Sequence, residues 1–323
     1  MGAPPHELTL VQSHQEGFGR EFACAPDGTG WASAASATLH LWDGDKVVDT
    51  IEIPGYQLGG IKYSPDGATI RIGLWLVDTQ ARTTERLLAK DPDLLVSALE
   101  TEAATHPELF GPQSIDWSDD GRRAVIVTEY RPPRGLGNDF DNDGPSGQVL
   151  LVDGLAERVV AVLEDDTGFM PDRGVALSDR WVAVAGASVR VHDLDAGRPV
   201  ADLGGGGSWW AASRFSPDGR LLAAIGVDGA IGLWSTADWS DLASWSAGVP
   251  YGSALAFDSS GERLAVAGTN GPLGVWSVGS APAEIASAPA ERGVQGLAFD
   301  PAGRLLVATT PPGQAIDVFE LPA

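Results

Sequence analysis

The sequence has little cysteine and little positive charge. One cysteine among 323 residues excludes a disulfide within the chain, and we expect a cytoplasmic location. Lys and Arg total 21 against 44 Asp and Glu, a formal net charge of −23 that argues against nucleic acid and anionic membranes as partners. No apolar run approaches the ~18 residues of a membrane span. The first residues also lack the basic and apolar regions of a secretory signal.

A short turn motif recurs along the whole chain. In its clearest form it reads SPDG, and apolar residues alternate with polar ones on both sides of it. Six copies end at Gly28, Gly67, Gly121, Gly219, Gly261 and Gly303, and a degenerate seventh is VALSDRWVAVAG at 175–186. Short alternating runs separated by Gly, Asp, Asn and Pro predict strands joined by tight turns. A repeat of about 40 residues with four such runs predicts one four-stranded sheet per copy.

Two columns of large residues recur at fixed places in the copies. The first column stands four residues before each turn glycine or its equivalent: Cys24, Tyr63, Trp117, Leu177, Phe215, Phe257 and Phe299. The second column ends the third strand: Trp42, His192, Trp234, Trp276 and Phe319. We expect both columns to fill the core between packed sheets. Cys24 is accordingly interpreted as a small core hydrophobe and not as a reactive thiol.

The segment FSPDGRLLAAIGVDGAIGLWS at 215–235 resembles the WD40-repeat family, and the other copies resemble it more loosely over nearly the whole chain. The Gly-His pair that usually opens such a repeat is missing, so its hydrogen-bond network is not expected here. We predict an all-β fold with a single domain over 1–323, a seven-bladed β-propeller of four-stranded antiparallel blades. The run ELTLVQSH at 7–14 is predicted to close the last blade as its outer strand.

Aromatic residues recur near the predicted start of the first strand in each copy. By the resemblance, these positions ring the mouth of the central channel on the top face and contact a partner, with two arginines as polar anchors. The predicted binding residues are Phe18, Arg20, Tyr56, Phe110, Phe169, Trp209, Trp210, Tyr251 and Arg292. Aromatic and Arg side chains dominate binding hot spots. The alternative is that these residues fill the gaps between adjacent blades.

Two segments exceed the repeat period, at about 100–113 and at 131–147, and both are predicted to lie on the top face. The second contains Asp139, Asp141 and Asp143 at positions one, three and five of a calcium-loop pattern, followed by a glycine. Position twelve is Leu150, where a calcium loop has a glutamate. The two interpretations are a calcium site on these three aspartates and a solvated turn; no other cofactor is expected.

Linear catalytic motifs are absent from the sequence: it has no GxSxG, HExxH, GxxxxGKS or paired-cysteine motif. The leading functional prediction is a non-catalytic scaffold that binds a protein or peptide on the top face. The alternative is a small-molecule binder or metal-assisted enzyme of the lactonase or lyase type, built around Glu129, His106 and the aspartate-rich loop. A third interpretation is a purely structural propeller that contacts a larger assembly through its edges. The sequence leaves the oligomeric state open.

Overall fold

The structure is a computed structural model. It describes residues 5–15, 21–35, 37–54, 60–87, 110–118, 120–130, 149–154, 158–164, 174–205, 207, 209–269, 272–289, 293–309 and 315–322. These ranges contain 29 strands, and every regular element in them is a strand. The strands form seven sheets that are the seven blades of a β-propeller.

Each blade contains four antiparallel strands, which in blades 1 to 6 pair in chain order. Blade 1 consists of β3 (Glu21–Cys24), β4 (Trp31–Ala35), β5 (Thr38–Asp43) and β6 (Lys46–Glu52). Blade 2 consists of β7 (Ile61–Tyr63), β8 (Thr69–Ile72), β9 (Trp75–Asp78) and β10 (Thr83–Arg86). Blade 3 consists of β11 (Phe110–Trp117), β12 (Arg123–Tyr130), β13 (Val149–Asp153) and β14 (Arg158–Glu164). Blade 4 consists of β15 (Val175–Leu177), β16 (Trp181–Ala185), β17 (Val189–Asp193) and β18 (Arg198–Leu203).

The remaining three blades follow the same plan, and the N-terminal segment completes the last one. Blade 5 consists of β19 (Trp210–Phe215), β20 (Leu221–Gly226), β21 (Ala230–Ser235) and β22 (Asp241–Ser246). Blade 6 consists of β23 (Gly252–Phe257), β24 (Arg263–Gly268), β25 (Leu273–Ser277) and β26 (Glu284–Ala288). Blade 7 consists of β27 (Val294–Phe299), β28 (Leu305–Thr309), β29 (Ile316–Glu320) and, as its outer strand, β2 (Thr9–His14).

The N-terminal segment closes the ring, as predicted. Strand β2 pairs antiparallel with β29, in a register that runs from Thr9 opposite Glu320 to His14 opposite Ile316. The start of the segment does something the sequence did not indicate: β1 (His6–Glu7) adds in parallel to the outer edge of blade 6, beside β26. Between the two strands, the backbone N–H of Leu8 donates to the carbonyl of Ser287 over 2.9 Å. The segment therefore joins two blades and not one.

The SPDG-type turns owe their shape to one repeated hydrogen-bond pattern. In blade 2 the Ser64 hydroxyl donates to Asp66 over 2.6 Å and accepts from the backbone N–H of Thr69 over 3.0 Å. Gly67 has a φ of 73°, a conformation that favours glycine. The hydrogen bond from Ser64 holds the pKa of the Asp66 carboxyl below its ordinary value. Blades 3 and 5 repeat this pattern. The shape of the turn is therefore determined by its own residues and can be predicted from the sequence.

The core lies between neighbouring blades, and the first column contributes to it as expected. Trp117, Leu177 and Phe299 are buried, and Cys24, Tyr63, Phe215 and Phe257 are partly buried. The Cys24 thiol donates to the carbonyl of Phe299 in blade 7 over 2.9 Å. Burial, reinforced by the charge of Asp300, raises the pKa of Cys24 to about 12. A thiol with that pKa stays protonated at neutral pH, which supports the interpretation of Cys24 as a core residue.

Candidate functional site

The alternation of strands sorts the connections onto two faces. The upper face carries the loops between the second and third strands and those that lead to the next blade; the lower face carries the SPDG-type turns. Of the predicted aromatic residues, Trp209, Trp210 and Tyr251 are fully described, and they lie near the starts of β19 and β23 on the upper face. At blades 4 to 6 the described residues include the loops between β16 and β17, between β20 and β21, and between β22 and β23.

Several predicted site residues fall outside the described residues. These are Phe18, Arg20, Tyr56, Phe169 and Arg292, together with Asp139, Asp141 and Asp143. Phe110 begins β11, but its side chain is not among those described. The loop 131–147 and most of 100–113 are likewise outside. The calcium site and the enzyme alternative at blade 3 therefore remain predictions.

Tyr251 is the most exposed large apolar side chain of the upper face in these ranges. It precedes β23, and 64% of its surface is accessible to solvent. Its φ is 53°, in the left-handed region that an aromatic residue seldom adopts. Its carbonyl accepts from the backbone N–H of Thr269 over 2.9 Å, which fixes the strained residue to blade 6. The next residue, Gly252, packs so closely on blade 5 that a Cβ there would overlap the carbonyl oxygen of Gly226.

Two further side chains continue this surface across blades 5 and 4. Val227, in the loop between β20 and β21, is 40% exposed, and its backbone N–H donates to the carbonyl of Trp209 over 2.8 Å. The Trp209 indole is partly exposed and lies over Gly186, where a Cβ would stand 3.8 Å from the ring carbon Cζ2. We call the surface formed by Gly186, Trp209, Val227 and Tyr251 the upper patch.

The Trp209 indole nitrogen carries an unused donor. Nε1 is buried, and within the described part of the chain no acceptor lies in hydrogen-bond reach. An unsatisfied buried donor is costly in a folded protein, typically about 1–3 kcal/mol. Because the nitrogen itself is shielded from solvent, the part of Trp209 that a partner can contact is the exposed part of its ring.

Trp210 differs from its neighbour, and its predicted contact role needs correction. It is only 7% exposed and belongs to the core between blades 4 and 5. Its Nε1 donates to the carbonyl of Gly204 over 3.0 Å, and its ring meets that of Trp234 edge to face at 5.6 Å. Packing and the hydrogen bond account for this tryptophan, so we leave it out of the upper patch.

Sequence reasoning missed Val227 and Gly186. The signal for Val227 was an apolar residue at the start of the tight VDG turn, where solvent-facing polar residues are usual. Gly186 has no side chain to attract notice, and its role of leaving room for the Trp209 ring depends on the neighbouring blade.

The described residues hold no group of three His, Cys, Asp or Glu side chains placed to bind a metal ion.

Two histidines of the sequence, His14 and His192, pack against neighbouring residues. His192 is buried in the second column, and His14 lies on the closing strand with its ring edge-on to Trp42 at 4.8 Å. Burial lowers the pKa of the His14 imidazole.

No protein-family model matches the chain, and no curated protein matches it either. Because the regular elements of the described ranges are all strands, none of them is a helix that would span a bilayer. We therefore base the functional proposal on the geometry and composition of the upper patch.

Proposed function

We propose that this protein is a non-catalytic recognition scaffold that binds a protein or peptide partner on the upper patch. The observation that carries the proposal is Tyr251, a large ring that is 64% exposed on a backbone with a φ of 53°. Strained residues of this kind cost about 1–3 kcal/mol each and concentrate at binding and active sites. The propeller fold and the resemblance to WD40 repeats are consistent with a scaffold.

The composition of the upper patch suits a protein partner. It offers a tyrosine, a tryptophan and a valine from three consecutive loops. Tyr and Trp are enriched in hot spots, where the loss of one side chain costs about 2 kcal/mol or more. The net charge of −23 disfavours nucleic acid and anionic membranes, so the proposed partner is a protein or peptide met in the cytoplasm.

Replacing Tyr251 with glycine should separate binding from stability. Glycine tolerates a φ of 53°, so Tyr251→Gly should melt at the same temperature as the unchanged protein or slightly above it. Loss of the ring should weaken partner binding by about 30-fold or more, the equivalent of about 2 kcal/mol. Thermal melting and affinity capture of partners from the native host measure the two effects.

Two further variants make the comparison sharp. Trp209→Ala should also lose the captured partner, because it removes the partly exposed indole ring. Val48→Ala removes part of an exposed apolar side chain outside the upper patch, 61% accessible on the outer strand of blade 1, and should leave capture unchanged. A Tyr251→Gly protein that retains its partners, or one that melts far below the unchanged chain, would refute the proposal.

A further inference from the structure

The seven first strands surround a cavity on the propeller axis. Its volume is about 590 Å³, and residues of β3, β7, β11, β15, β19, β23 and β27 line it. Lower-face turns of blades 4 and 5 border the same cavity. Small-molecule sites in proteins typically measure about 300–1,000 Å³, so the space is adequate for a small ligand.

One position of the first strand places charged side chains on the cavity lining in some blades and not in others. It is the residue directly before each residue of the first column. Four blades have alanine there, namely Ala23, Ala176, Ala256 and Ala298. The other three have Lys62, Asp116 and Arg214. Alanine is thus sufficient for the fold at this level, and the three charged residues call for a separate explanation.

Two of the three charged residues, Lys62 and Asp116, form an ion pair with each other. Lys62 Nζ lies 3.6 Å from Asp116 Oδ1, a pairing between blades 2 and 3. The second oxygen of Asp116, Oδ2, accepts from the backbone N–H of Leu177 in blade 4 over 3.0 Å. These contacts tie three blades together, which is a structural role.

Arg214, the third charged residue, has no comparable contact with another blade among the described residues. Its Nη1 donates to the carbonyl of its neighbour Ser213 over 2.9 Å, and within the described ranges no carboxylate pairs with the guanidinium. The N–H groups on Nε and Nη2 are left for another acceptor. The side chain is half-buried, and a charge removed from bulk water is costly unless it is paired.

Of the other charged groups at the lower end of the cavity, Arg180 and Asp218 are already engaged, and Asp179 is exposed to solvent. Arg180 pairs with Asp193 at 3.1 Å and stacks on the ring of Trp181 at 4.2 Å. Asp218 accepts from the Ser216 hydroxyl and from the backbone of the turn. Higher on the axis, Glu21 has contacts of its own. Arg214 is therefore the cation of the described cavity lining that is free to take a ligand.

We infer that the axial cavity binds a small anion through Arg214, which presents its remaining N–H groups to a carboxylate or phosphate group. A guanidinium binds both groups in a two-pronged geometry that adds strength and direction. The site is separate from the upper patch and does not depend on the function proposed for that patch.

Isothermal titration calorimetry and thermal melting with sodium succinate and with inorganic phosphate, at constant ionic strength in chloride, test the inference. The unchanged protein should bind at least one of the two anions. At a hundredfold excess over Kd, that anion should raise the melting temperature by about 4 °C. Binding of succinate alone identifies a carboxylate ligand, and binding of phosphate alone identifies a phosphate ligand.

Three variants locate the site. Arg214→Ala should fold, because four blades carry alanine at this position, and should lose anion binding altogether. Arg214→Lys keeps the charge without the two-pronged geometry and should bind about tenfold more weakly. Arg220→Ala is the matched control, since Arg220 is an exposed arginine on the neighbouring turn, paired with Asp218, and it should bind like the unchanged protein.

Two results would overturn the inference. One is a chain that binds neither anion more tightly than chloride. The other is an Arg214→Ala protein that binds with the affinity of the unchanged chain. If Arg214→Ala fails to fold, Arg214→Lys carries the test, and unaltered affinity in that variant counts against the site. Tyr251→Gly should leave anion binding unchanged, so a failure here is distinguishable from a failure of the recognition proposal.

Discussion

Deleting residues 1–14 should lower the melting temperature by about 7 °C. The deletion removes the five register pairs between β2 and β29, and each backbone hydrogen bond is worth about 1 kcal/mol. A loss of about 5 kcal/mol is a large part of the ~5–15 kcal/mol that stabilises a typical protein. For a chain of this size, it corresponds to a shift of about 7 °C.

The closing segment also anchors the neighbours of blade 7. Leu8 is buried against blade 6, and the His14 ring contacts Trp42 of blade 1. The Ser13 hydroxyl donates to Asp317 on the adjacent strand over 2.6 Å. Without the segment, the edge of β29 is open to pairing with other chains, so we expect aggregation on heating as well.

A shorter deletion is the control for this prediction. Removing residues 1–5 leaves both β1 and β2 in place and should change the melting temperature little. Thermal melting monitored by circular dichroism measures both deletions. Equal melting temperatures for the unchanged protein and the chain without residues 1–14 would show that the ring does not depend on this strand.

Replacing Trp117 with alanine should destabilise the protein by about 3–5 kcal/mol. Trp117 is 1% exposed in the first column of blade 3, and removal of a buried tryptophan leaves a large cavity. Its Nε1 also donates to the carbonyl of Gly73 in blade 2 over 2.8 Å. The variant therefore loses packing and a hydrogen bond between blades at once.

Trp117→Phe separates these two contributions. Phenylalanine keeps most of the ring but leaves the buried Gly73 carbonyl without its donor, so we expect a smaller loss of about 1–3 kcal/mol. Chemical denaturation of the three proteins gives the difference in free energy of unfolding. Equal stability of Trp117→Ala and the unchanged protein would contradict the packing described here.

The repeated elements of the fold were predictable from the sequence because they are local. Serine, aspartate and glycine at fixed spacing form the turn by their own hydrogen bonds, as at Ser64, Asp66 and Gly67. Alternation of apolar residues on either side then predicted four strands per copy. The pairing of β1 with blade 6 was not predictable, because two residues carry no periodicity.

The candidate site was harder to predict because its properties depend on neighbouring blades. Trp209 and Trp210 are identical in sequence, yet one is at the surface and the other in the core; a bulge after Trp210 also disturbs the alternation of faces. The exposure of Tyr251 depends on how closely Gly252 approaches blade 5. The sequence shows that Arg214 is charged. Only the packing of the blades shows that Lys62 and Asp116 form an ion pair, while no carboxylate of the described residues pairs with Arg214.

Photo-crosslinking from Val227 tests the central claim, recognition through the upper patch, most directly. Val227 lies between Trp209 and Tyr251, so a photoreactive phenylalanine analogue in its place should crosslink a partner in the native host. The same analogue at Val48, on the outer strand of blade 1, is the control. We predict a protein that crosslinks from 227, does not crosslink from 48, and disappears when Tyr251→Gly is added. Identical crosslinked proteins from both positions, or none from 227, would contradict the claim.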